Sequence, residues 1–68
     1  MTNTSIVLNG ENQSTTCQNL LELVQELNLE NKRFAVEVNQ QIIPKSRLAT
    51  TPIQPNDHIE IIHAVGGG

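Results

Sequence analysis

One stretch of this chain, and no other, carries a helical apolar period. In "TTCQNLLELVQELNL", Cys17, Leu20, Leu21, Val24 and Leu27 recur at helical spacing, with Gln18, Glu22, Gln25 and Glu26 on the other side. The remaining apolar segments read with period two. A single amphipathic helix can cover the apolar face of one sheet, and nothing else is available to bury that face. The chain is therefore limited to one helix packed on one mixed sheet. Thr15 or Thr16 is the natural N-cap, with Thr15 and Gln18 as a capping box. The stripe predicts an end near Asn28, with Asn31 as a left-handed stop.

The strands follow from alternation and punctuation. Ser5 to Leu8 alternates around Ile6 and Leu8 and meets Asn9-Gly10, a pair suited to the φ > 0 positions of a tight hairpin. The polar run from about Glu11 to Thr15 completes that hairpin as an edge strand. "RFAVEVN" puts Phe34, Val36 and Val38 on one face, Ala35 and Glu37 on the other. "QQIIP" is a short strand closed by Pro44, which cannot extend a ladder in mid-sheet. "KSRLA" reads as a single turn and "QPND" as a turn built on Pro55 and Asn56-Asp57. The last strand spans His58 to about Val65. The first and last strands are the most apolar and belong side by side, parallel, at the centre, joined by a right-handed crossover over the helix. The order hairpin, helix, strand, short strand, strand predicts an α+β domain of β-grasp (ubiquitin-like) architecture. It has four to five strands in residues 1–65, followed by a flexible glycine tail over 66–68.

Size and charge exclude several functions. Ordering 68 residues costs about 1.5 kcal/mol each, so little material is left to wall a ligand cleft of roughly 300–1,000 Å³. Recognition by partners at the surface is the expected mode. A net charge of −3 with four basic residues is no footprint for nucleic acid, and Phe34 is the sole aromatic for base stacking. No apolar run approaches the roughly 20 residues of a membrane span, and no secretion signal opens the chain. A single cysteine makes no internal disulfide, which fits a reducing cytoplasm. Cys17 lies on the helix stripe and reads as a small buried hydrophobe. His58 and His63 point to opposite faces of their strand and cannot share a metal. Glu22, Glu26 and Glu30 read as a solvated acidic side of the helix region. With no glycine loop carrying a lysine, the chain itself is expected to bind no phosphate, no metal and no cofactor.

Taken together, "VNQQIIP", "NDHIEIIHAV" and the terminal Gly67-Gly68 resemble the ThiS family, the sulfur carriers of thiamine biosynthesis. The similarity runs over essentially the whole chain. Lys45 stands where the family often has arginine and Leu48 where it often has an aromatic, departures expected to touch only local surface contacts. The resemblance implies a carrier, not an enzyme, whose chemistry uses the Gly68 carboxylate. A ThiF-like adenylyltransferase would convert it to an acyl-adenylate with ATP and magnesium. A sulfur-delivery enzyme would supply the sulfur that displaces AMP, leaving a thiocarboxylate for thiazole synthase (ThiG-like). Such a carrier would be a monomer on its own.

The end of the chain suits that chemistry. Adenylation gives the carboxylate a leaving group, and the partner supplies acid, base and oxyanion stabilisation. The carrier must supply reach and slimness: three extended residues span roughly 10 Å, and glycine has no Cβ to meet channel walls. Gly66 and Gly67 are accordingly assigned to threading and Gly68 to sulfur carriage. Parity along the last strand turns Ile62 and Ala64 to the uncovered sheet face. Val7 should be a neighbour of Ile62, the two forming a small apolar docking patch, and Val65 should contact the partner as the tail leaves the sheet. Three other readings share this ending: the small subunit of molybdopterin synthase, a protein modifier conjugated through Gly68, and an interaction module without terminal chemistry.

Overall fold

The computed structural model describes residues 3–63. It contains β1 (Thr4–Leu8), β2 (Glu11–Thr15), α1 (Leu20–Glu26), β3 (Phe34–Val38), β4 (Gln41–Ile43), a 3₁₀ segment (Lys45–Thr50) and β5 (His58–His63). The five strands form one sheet in the order β2-β1-β5-β3-β4. β5 is the middle strand, parallel to β1 and antiparallel to β3, while β2 and β4 are edges. This is the β-grasp arrangement expected from the one helical stripe. The polar β2 is exposed along its length until Thr15, as an edge strand can be.

The core lies between one sheet face and α1. Ile6 and Leu8 of β1, Val36 of β3, and Ile59 and Ile61 of β5 meet Leu20, Leu23 and Val24 of the helix. Leu48 and Ile53 close the open side. Ile59 is fully buried at the sheet centre. Leu48 is 2 % exposed, so the family departure at this position falls in the core and not on the surface. Leu27, the last residue of the apolar stripe, is 38 % exposed because the helix has ended one residue earlier.

The helix begins later than its apolar stripe. Thr15 belongs to β2, and its Oγ1 accepts the Cys17 backbone N–H at 3.0 Å. The N-cap is Asn19, whose Oδ1 accepts the Glu22 N–H at 2.9 Å, while the Glu22 carboxylate accepts the Gln18 N–H at 2.8 Å. The reason is tertiary. Residues 18–20 pair with the extended segment after the 3₁₀ turn, with Leu20 N donating to Thr51 O and Ile53 N to Gln18 O. Asn19, between them, is held extended at φ −143° and ψ 171°, and the helix starts at Leu20. At the other end the left-handed stop is Asn28, at φ 61°, and not Asn31. Leu29 N donates to Val24 O and Asn28 N to Gln25 O, the paired bonds of a Schellman termination, and Leu29 packs on the core.

Candidate functional site

β5 leads directly toward Gly68, so what fixes β5 fixes the origin of the tail. Two asparagines in left-handed turns grip it from both sides. Asn9, at φ 51°, donates its backbone N–H to Ile59 O at 2.9 Å. Its Oδ1 then accepts the Ile61 N–H at 2.8 Å, serving as a carbonyl where β1 has already turned away. Asn39, at φ 52°, opens the β3–β4 hairpin turn. Its backbone N–H donates to His58 O at 2.8 Å and its Oδ1 accepts the His58 N–H at 3.0 Å. Asn39 Nδ2 donates to the Asp57 carboxylate at 3.0 Å, whose other oxygen accepts the Gln54 N–H at 2.9 Å. Asp57 is 8 % exposed. The Val38-Asn39 and Asp57-His58 pairs, 18 or more residues apart in sequence, are thus one hydrogen-bonded unit.

The uncovered face of the sheet carries Ile62, 59 % exposed, and Ile42, 70 % exposed. Ile62 faces Ala35 across the β5–β3 ladder, and the next outward row is Glu60, Glu37 and Ile42. Val7 does project to this side, but it is level with His58, not Ile62. Four residues of β5 separate the two, about 13 Å along the strand. The expected Val7–Ile62 contact is therefore absent, because parity fixes the face of a residue while register fixes its neighbours. Ile42 was missed by the sequence reading; its only signal was an Ile-Ile pair in which one member had to face outward. Replacing Ile62 with aspartate is expected to change stability by less than about 0.5 kcal/mol, as at other exposed positions. If the outer face is a docking surface, the same change should weaken binding of whatever partner seats there, measurable by titration against that partner. Unfolding of the variant would show that Ile62 is a core residue.

The remaining candidates separate clearly. Cys17 is buried, and burial together with the neighbouring Glu26 carboxylate pushes its thiol above its usual range. Its Sγ lies 3.4 Å from Glu26 Oε2. Both features disfavour the thiolate, as a structural cysteine requires. His58 lies on the outer face and His63 at the rim beside Phe34; both are exposed. Among the described residues no group of three His, Cys, Asp or Glu side chains converges to hold a metal, and no helix is long and apolar enough to cross a membrane. Ala64, Val65, Gly66, Gly67 and Gly68, and with them the tail over 66–68, lie outside the described residues.

The ThiS family model matches residues 5–68, nearly the whole chain. The chain belongs to the ThiS family. It is 47% identical over 53 residues to the sulfur carrier protein ThiS of Bacillus subtilis, covering 78% of this chain and 76% of that one. It is 36% identical over 64 residues to a thiazole synthase of Paramagnetospirillum magneticum, where the match takes in 93% of this chain. The chain spans only 20% of the length of that thiazole synthase. A crystal structure of a thiamine biosynthesis protein, ThiS, from Geobacter metallireducens superposes with a TM-score of 0.78 at 22% identity. That superposition covers 96% of this chain and all of the other, and establishes the β-grasp fold independently of sequence.

Proposed function

We propose that this ThiS-family chain is a sulfur carrier in thiamine biosynthesis, acting in the cytoplasm as a co-substrate of other enzymes and not as a catalyst. The observation that carries the reading is the match over residues 5–68, which runs through the terminal glycines and so includes the reacting end. A ThiF-like adenylyltransferase uses ATP and magnesium to join AMP to the Gly68 carboxylate. A carboxylate oxygen attacks the α-phosphorus, the bond to the β-phosphate breaks, and pyrophosphate leaves. Sulfur from a delivery enzyme attacks the acyl carbon, the bond to AMP breaks, and a thiocarboxylate remains. Its anionic sulfur is the nucleophile that thiazole synthase takes up. Thiazole synthase as acceptor is supported by the thiazole synthases that contain a segment similar to this chain. The role left to this chain is positional: a sheet whose central strand is gripped by Asn9 and Asn39 presents the glycines to each partner in turn.

The test is the intact mass of the purified chain after incubation with the adenylating enzyme, ATP and a sulfur donor. Exchange of one terminal oxygen for sulfur is the expected product. A stable adduct to a lysine of another protein would instead make it a protein modifier. Sulfur transfer to a pterin precursor and none to thiazole synthase would place it with the molybdopterin synthases.

A further inference from the structure

The chain has four lysine and arginine residues, and all four lie at one end of the sheet. Lys32 and Arg33 directly precede β3, while Lys45 and Arg47 follow β4 in the 3₁₀ segment. Phe34 pairs with His63 and Val36 with Ile43, so β3 starts where β4 and β5 finish. All four cationic residues are exposed. Lys45 Nζ stands 4.6 Å from the centroid of the Phe34 ring, which places it one side chain away from His63. Most of the acids are elsewhere. Glu11 is on the far edge strand, Glu22 and Glu26 are on the helix, and Asp57 is buried at the opposite end of β5. Glu37 and Glu60 face each other three residues further along the ladder, about 10 Å away. Glu26, in the last turn of the helix, and Glu30, in the loop before Lys32, are the acids that most closely precede the basic end in sequence; Glu26 accepts from the Cys17 thiol and Glu30 from Gln25 Nε2. A chain of net charge −3 therefore turns a positive face in the direction its last strand points.

We propose that this basic end docks against an acidic protein surface surrounding the entrance by which Gly68 reaches the adenylating site. The proposal rests on the sulfur-carrier reading and names the partner surface that reading requires. The four cations come from two separate segments, one before β3 and one after β4, and no glycine loop accompanies them. That spread suits a ring of carboxylates better than a single phosphate. The net negative charge opposes a polyanion such as nucleic acid. Placed around the origin of the tail, these charges orient the carrier tail-first during encounter, before any short-range contact forms. Steering of this kind raises association rates by roughly 10–10³ and fades as salt screens it. Charges at an interface rim act mainly on the association rate and its salt dependence.

The test compares two variants that change net charge equally: Lys32→Gln with Arg33→Gln at the basic end, and Asn12→Asp with Gln13→Glu on β2. All four positions are exposed, and thermal melting checks folding of each. The first variant should associate with the purified adenylating enzyme about tenfold more slowly at low salt, with the difference gone at high salt. The β2 variant should stay within about twofold of wild type, and adding Lys45→Gln to the first should slow it further. Unchanged association of the first variant, or equal slowing of both, overturns the proposal. So does binding of ATP alone, or of a single-stranded oligonucleotide, by wild type that the first variant loses. Wild type that gains no sulfur with enzyme, ATP and donor overturns the carrier reading and this inference together. Normal sulfur gain with unaltered association overturns the inference alone.

Discussion

Gly68→Trp should abolish thiocarboxylate formation while leaving the melting temperature of the domain where it is. The two halves of this expectation have separate causes. The described core runs from Ile6 to Ile61 and is closed by the helix, Leu48 and Ile53, so its stability does not draw on position 68. The loss of chemistry follows from the proposed role of that position, whose carbonyl the adenylating enzyme would activate. A terminal residue enters a site built around ATP only if its α-carbon is bare enough to pass, and an indole there displaces the carboxylate from in-line attack. Misplacement of a reacting group by about 1 Å can cost 10²-fold, so conversion should fall by at least that factor. Intact-mass measurement reads conversion and calorimetry reads stability. A variant that gains sulfur at the wild-type rate would remove the terminal carboxylate from the mechanism. Gly67→Val, one residue back, should give an intermediate loss.

Asp57→Ala is the substitution expected to damage the fold most relative to its size. The carboxylate is almost fully buried and holds the Asn39 amide and the Gln54 N–H together at the entrance to β5. Its removal takes a charged acceptor from both donors. Asn39 and Gln54 are exposed, so water replaces part of each bond, and a total loss of about 2 kcal/mol is expected. A domain of this length has roughly 3–10 kcal/mol in all at 0.05–0.15 kcal/mol per residue, so the loss is a sizeable fraction of its stability and should lower the urea midpoint clearly. Asp57→Asn keeps one acceptor oxygen and should lose less. Urea unfolding of the three proteins ranks them, and equal midpoints would mean that solvent already satisfies these groups. Activity should follow the same ranking, since Asn39 and Asp57 fix the strand that carries the tail.

The residues that made the chain recognisable are largely residues of this clamp. "VNQQIIP" and "NDHIE" look like separate motifs in the sequence, and their partnership appears only when Asn39 meets Asp57 and His58. Asn9 was read as half of an Asn-Gly turn, which it is, yet its side chain also extends the ladder to Ile61. A turn preference is visible locally, whereas a bond across 52 residues is not.

What the sequence determined by itself is whatever depends on a residue and its nearest neighbours. The single helical stripe set the number of layers. Alternation set the faces of Val36, Ile59 and Ile61, and Asn-Gly and Pro44 set where strands stop. Only the tertiary structure decided register and competition. It separated Val7 from Ile62, brought Ile42 to the outer face, and placed the four cations around one end. It moved the N-cap to Asn19, because Gln18 and Leu20 pair with Ile53 and Thr51 and hold Asn19 extended between them. Side-chain period reports which way a residue points; which strand lies beside it is settled by the hydrogen bonds of chain segments far away in sequence.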